Sequence, residues 1–180
     1  MAHTPLLRAF VLSAGFCATA LAQAAPFSAD DVIAFENQWG DGIVSIGKSW
    51  QAGGDYKGEA QRLIAQTYAY DDGKVLFKPT KAAQDQFRET ADQALSYFVG
   101  GGNPEDHGFA IQPWSKVRFE NHEIITHDDM ALAMGNYYFT DAKTGKEVKV
   151  EFSFGLMHDP KDGHPELFLH HSSLPYQPQH

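Results

Sequence analysis

The sequence predicts an α+β domain, and two observations carry that prediction. In the first half of the chain apolar residues recur every three or four positions, the period of a helix buried on one side. In the second half they alternate with polar residues between turn signals, the period of a strand with one buried face. Helices first and a meander of long strands afterwards give two layers around one core.

The elements follow in order. Ser28 with Asp31 three residues on has the spacing of a capping box, with Asp in place of the usual Glu or Gln. From there Val32, Phe35, Trp39, Ile43, Ile46 and Trp50 line one helical face, and Gly53-Gly54 ends the helix. Asp55 caps a shorter helix carrying Ala60, Leu63, Ile64 and Thr67. Val75-Leu76-Phe77, after the turn Asp71-Asp72-Gly73, reads as a strand that Pro79 stops. Thr80 is placed to cap a third helix with Ala83, Phe87, Ala91, Ala94, Leu95 and Phe98 inward, closed by Gly100-Gly101-Gly102. Val117 and Phe119 then alternate, His127-Asp128-Asp129 turns into a strand over 130–140, and Lys143-Thr144-Gly145 turns again. Val148, Val150, Phe152, Phe154 and Leu156 share one face of the next strand. After Asp159-Pro160-Lys161-Asp162-Gly163 a last strand runs from Glu166 to Leu174, where Pro175 ends it.

Residues 1–24 read as a cleaved secretory signal, followed by one domain over 25–180. Arg8 is the only formally charged side chain before Asp30, and the run from Ala9 to Ala22 is apolar but too short for a bilayer. Ala22-Gln23-Ala24 supplies the small residues a signal peptidase needs. Bulky Phe16 before Cys17 argues against lipidation. The expected location is periplasmic or secreted. The one cysteine lies in this segment, so the domain has neither a disulfide nor a thiolate ligand. A formal net charge of −9 repels nucleic acid and anionic lipid.

Chemistry concentrates at His170-His171-Ser172-Ser173. Alternation sends one imidazole and one hydroxyl to each face of the strand. Continuing the Leu167 and Leu169 face puts His171 and Ser173 inward, with His170 and Ser172 as the other pair. Tyr97, near the end of the third helix, is positioned to bring a phenol to a pocket rim. The other histidines give no metal centre. His122 and His127 flank one bend and His158 and His164 another, no pair has helical ligand spacing, and His170 and His171 diverge on a strand. No metal and no cofactor are expected. Nucleophile-elbow, P-loop and dinucleotide motifs are absent from the sequence.

Several stretches together resemble a known family. They are Leu76-Phe77-Lys78-Pro79-Thr80-Lys81-Ala82-Ala83, Ala94-Leu95-Ser96-Tyr97-Phe98-Val99-Gly100-Gly101 and Glu105-Asp106-His107-Gly108-Phe109-Ala110. Val117-Arg118-Phe119-Glu120-Asn121, the run 131–139 and His170-His171-Ser172-Ser173-Leu174-Pro175-Tyr176 complete the set. From about Phe35 to Tyr176 the chain is similar to the metal-free branch of the iota-class carbonic anhydrases. That resemblance implies an NTF2-like cone, with N-terminal helices packed on a strongly curved antiparallel sheet around a pocket. It implies reversible hydration of carbon dioxide to bicarbonate in a homodimer without metal. It also implies that Thr80, Tyr97, a serine of Ser172 and Ser173, and a histidine of His170 and His171 form the site. In that reading the histidine acts as general base on water, and activity falls as the pH drops below its pKa. The hydroxyls would stabilise charge on the carbon dioxide oxygens. The competing reading is a non-catalytic NTF2-like module that binds a small ligand or a protein, since fold alone does not decide function. A third is a different lyase or isomerase acting on a larger substrate with the same tyrosine and histidine.

Overall fold

The computed structural model describes residues 25–73 and 75–178. The expected signal segment, residues 1–24, lies outside the described residues. Helix α1 (Ala29–Gln51) begins with the capping box read from the sequence, Ser28 and Asp31 exchanging both bonds. Its face Val32, Phe35, Trp39, Ile43 and Ile46 is buried, whereas Trp50, in the last turn, is exposed. Asp55 caps α2 (Tyr56–Thr67) through the Gly58 N–H. Strand β1 (Leu76–Lys78) and helix α3 (Ala91–Val99) follow, then β2 (Trp114–Thr126), β3 (Met130–Asp141), β4 (Glu147–His158) and β5 (Pro165–Ser173).

The five strands form one sheet in the order β1-β5-β4-β3-β2. The four long strands pair antiparallel in sequence order, as the meander predicts. Strand β1 adds a parallel edge to β5, so the sheet is mixed. Bulges in β2 and β5 interrupt the ladder, and such insertions bend strands and increase their twist. Helix α1 packs along β2, and α2 packs against α1 and α3. Gly40 permits the close approach, since a Cβ there would lie 3.2 Å from the Val117 Cβ.

Two expectations need correction. The third helix does not start at Thr80. It starts at Ala91, where Thr90 and Gln93 form the capping box, and Gly100 ends it at φ 76°. The segment before it is held by long-range partners instead. The Glu105 carboxylate accepts from the backbone N–H groups of Ala83, Gln84 and Asp85, the last two of which a helix capped by Thr80 would have used internally. Arg88, wholly buried, contacts the Asp106 carboxylate at 2.5 Å and donates to the Asp85 and Phe87 carbonyls. Phe87 is left exposed.

The inward face of β5 is the second correction. Leu167 pairs with Leu156 and Leu169 with Gly155, so Phe168 is the extra residue of a bulge. One added residue reverses the alternation downstream. His170 and Ser172 are therefore the buried pair, each 2 % exposed, and His171 and Ser173 face the other way.

Candidate active site

The polar groups converge between sheet and helices. Thr80, Tyr97, Tyr137, His170 and Ser172 line one small cavity whose remaining wall is Trp39, Phe77, Phe98 and Phe109. The space open to a water centre is about 10 Å³, room for roughly one water. Strand β1 places its neighbour Thr80 beside β5, since Phe77 is in register with His170 and Lys78 with His171. Thr80 Oγ1 donates to Ser172 Oγ at 2.8 Å. Tyr97 comes from the buried side of α3, so its phenol lies inside the site and not at a rim.

His170 is fixed by a directed chain of hydrogen bonds. Tyr68 leaves the end of α2 through a parallel bridge to Leu167, which brings its ring beside β5. Its oxygen accepts from Trp39 Nε1 at 3.2 Å and lies 2.8 Å from His170 Nδ1. With that acceptor role filled, the phenol hydrogen is best satisfied on Nδ1. That arrangement puts the imidazole proton on Nε2, 3.4 Å from the Tyr137 hydroxyl. The ring stacks on Phe77 at 4.6 Å and meets Phe154 edge-on at the same distance.

Burial dominates the electrostatics. It pushes the His170 imidazole down to about 3, with the neighbouring His171 adding in the same direction, so His170 stays neutral. Burial raises the Tyr97 phenol well above its ordinary value, against the pull of the Lys81 backbone N–H. Tyr137 is raised for the same reason, with the Ser172 and Thr80 hydroxyls working in opposition. The cavity is thus a set of neutral donors and acceptors.

Thr80, Tyr97, His170 and Ser172, all singled out in the sequence, meet here. His171 and Ser173 instead border a shallow depression on the opposite face of the sheet. Tyr68, Tyr137 and Trp39 were not expected in the site. Trp39 has ordinary core spacing, and only the folded sheet brings the Tyr137 hydroxyl, two strands away, within 3.4 Å of His170 Nε2. A larger apolar groove of about 550 Å³ lies by Leu76, Phe87 and Leu169 at the sheet edge, away from these hydroxyls.

Residues 30–174 match the family described as metal-independent carbonic anhydrase. The chain belongs to that family. It is 40% identical over 154 residues to a metal-independent carbonic anhydrase of Nostoc sp. (strain PCC 7120 / SAG 25.82 / UTEX 2576), covering 82% of this chain and 73% of that one. It superposes on a crystal structure of a cyanobacterial iota-carbonic anhydrase complexed with bicarbonate with a TM-score of 0.82. That pair is 34% identical, with 96% of this chain and 100% of the other covered. An NTF2-like superfamily protein from Salmonella enterica serovar Typhimurium, 13% identical, covers 82% of this chain and 91% of its own at a TM-score of 0.51, which shows a shared fold. As a metal-independent carbonic anhydrase, the chain catalyses the interconversion of carbon dioxide and bicarbonate.

Proposed function

We propose that hydration takes place in the cavity between Thr80, Tyr97, Tyr137, His170 and Ser172. The observation that carries this reading is the 2.8 Å bond from Thr80 to Ser172, which faces two further hydroxyls and an imidazole across one small cavity. Bicarbonate lies against the same hydroxyls as product. A cavity this small counts against the larger substrate of another lyase, and its lining side chains must move apart to admit carbon dioxide together with the attacking water.

The roles follow from the protonation states. A base with a pKa near 3 removes little proton from water at neutral pH, so His170 acts as an Nε2–H donor and not as the general base. A hydroxyl can give one proton while taking another. Ser172 and Thr80 can therefore pass a proton from the attacking water to a carbon dioxide oxygen as the new C–O bond forms. The product is carbonic acid, which ionises to bicarbonate and a proton on leaving. Tyr97, Tyr137 and His170 donate to the oxygens as charge grows on them, without reorganising. Phe77, Phe98 and Phe109 give carbon dioxide an apolar wall. Such a relay is slower than a metal-bound hydroxide, whose water is acidified from 15.7 to about 7.

Stopped-flow carbon dioxide hydration tests this reading. The wild type should exceed the buffer rate after dialysis against a strong chelator, and Tyr97→Phe should fall at least tenfold. A binding module would show no excess rate in either protein, and loss on chelation with recovery on adding zinc would overturn the mechanism.

Two further assignments belong to the same reading. Export to the periplasm or beyond rests on residues 1–24 and is tested by N-terminal sequencing of the secreted protein. A homodimer is supported by the outward apolar residues Ile125, Leu132 and Met134 on the neighbouring strands β2 and β3. Light scattering should give twice the chain mass, and Met134→Lys should lower it.

A further inference from the structure

The β4–β5 turn brings together three groups that the reaction does not use. Asp159, His164 and Glu166 each offer a ligand atom, and these atoms lie within 4.8 Å of one another. Asp159 is 7 % exposed and Glu166 3 %. The turn is closed by Asp159 N–H to the His164 carbonyl and by Gly163 N–H to the Asp159 carbonyl, both at 2.8 Å. The cluster is therefore held by backbone and not by long flexible side chains.

The imidazole is oriented as a ligand. His164 Nδ1 lies 2.5 Å from the Asp162 carboxylate, which fixes the proton on that nitrogen and leaves the Nε2 lone pair facing inward. Nε2 is 3.4 Å from Glu166 Oε1, buried, and without a hydrogen-bond partner. Glu166 Oε2 is also buried with no partner. Unmade hydrogen bonds on two buried polar atoms of one cluster are costly, and each atom is a good metal donor. A carboxylate–histidine pair behind the ligand nitrogen is the usual support for a bound transition metal.

We propose that Asp159, His164 and Glu166 bind one divalent transition-metal cation, which clamps the β4–β5 hairpin. Two carboxylates neutralise the ion, and the imidazole selects a borderline metal such as Zn²⁺ over Ca²⁺, which takes six to eight oxygens. Three protein ligands leave a position for water. Asp72, from the turn after α2, adds negative charge nearby, and Lys161 opposes it. The site is separate from the hydration cavity. Glu166 and His170 are four residues apart on β5, roughly 13 Å at about 3.3 Å per residue. A metal here is compatible with metal-independent chemistry there.

The test uses the whole protein, stripped with a chelator and desalted. Titration with Zn²⁺ by calorimetry should give one ion per chain, and the thermal midpoint should rise with the logarithm of zinc concentration. His164→Ala and Glu166→Gln should each weaken binding at least tenfold, and Asp162→Asn, at an exposed position, about 10- to 100-fold. Ca²⁺ at equal concentration should not compete. In ¹⁵N spectra the His164 Nε2 resonance should move on binding. Carbon dioxide hydration should be equal in stripped and loaded protein. No zinc binding by the wild type, unchanged affinity in His164→Ala and Asp162→Asn, or an unmoved Nε2 resonance would each overturn the proposal.

Discussion

The Tyr68 hydroxyl and His170 Nδ1 lie 2.8 Å apart, joining the end of α2 to β5 inside an aromatic shell. Tyr68 already accepts from Trp39, so this bond decides which imidazole nitrogen carries the proton. Tyr68→Phe removes the donor and frees the other tautomer. It should lower kcat about tenfold with a smaller change in KM. The unpaired imidazole should also cost about 1–3 kcal/mol of stability. Nitrogen shifts of His170 report the tautomer directly, and an unchanged Nδ1 signal would count against this role.

Ser172→Ala and Thr80→Val should each reduce carbon dioxide hydration about 10²-fold, the scale of losing a positioned donor or proton relay. His171→Ala and Ser173→Ala, on the opposite face, should stay within about twofold of wild type. Equal losses on the two faces would refute the assignment.

The pH profile separates a relay from a histidine base. With the His170 pKa near 3, the rate should show no inflection from this residue between pH 5 and 8. Stability has a definite sign. The unfolded chain takes up a proton near 6.5 that the folded imidazole refuses, so stability falls as pH drops from 6.5 toward 3. The limit is about 5 kcal/mol. Denaturant midpoints of wild type and His170→Gln between pH 4 and 8 measure it, and the variant should slope less on the acid side.

Glu36 works in the other direction. Its carboxyl is buried on α1, accepts from Asn121 Nδ2 at 2.7 Å, and is pushed up by burial to about 7. The folded state keeps a proton that the unfolded chain releases near 4.5, so stability is full below 4.5 and is lost as pH rises through 7. Glu36→Gln should stabilise the protein by about 1–3 kcal/mol at pH 8 and have little effect at pH 5. Urea midpoints at the two values check it.

Arg88 and Asp106 are both buried, and Ser96 Oγ donates to Asp106 at 2.7 Å. Arg88→Met leaves the carboxylate without its cation and should cost about 3–5 kcal/mol. Arg88→Met with Asp106→Leu should recover part of that loss. Because Arg88 also anchors the segment carrying Thr80, the single variant should lose activity at temperatures where it remains folded.

Much of the fold is legible in the sequence because its causes are local. The Ser28–Asp31 box, Asp55 and the turn signals before β3, β4 and β5 specify their elements with neighbours a few residues away. The start of α3 is not legible, since Glu105 claims the backbone donors of Ala83 to Asp85 from far along the chain. Nor is the inward face of β5, because the bulge at Phe168 depends on packing against Gly155. There an added Cβ would lie 2.7 Å from the Phe168 ring. In the site, Thr80 stands out only through the family resemblance, and Tyr97 through that and its place near the end of the third helix. Tyr68 and Tyr137 look like ordinary core aromatics until the strands are paired. The Asp159, His164 and Glu166 cluster is invisible to a search for histidine pairs, because its donors are of two kinds.

The doubled His-His-Ser-Ser run has a consequence for how errors in strand pairing are read. A slip of β5 by one residue turns every side chain to the other face. Here it would exchange His170 and Ser172 for His171 and Ser173, the same two functional groups in the same order. The strand is thus written in a redundant code: a frameshift in its pairing preserves the message delivered to the cavity.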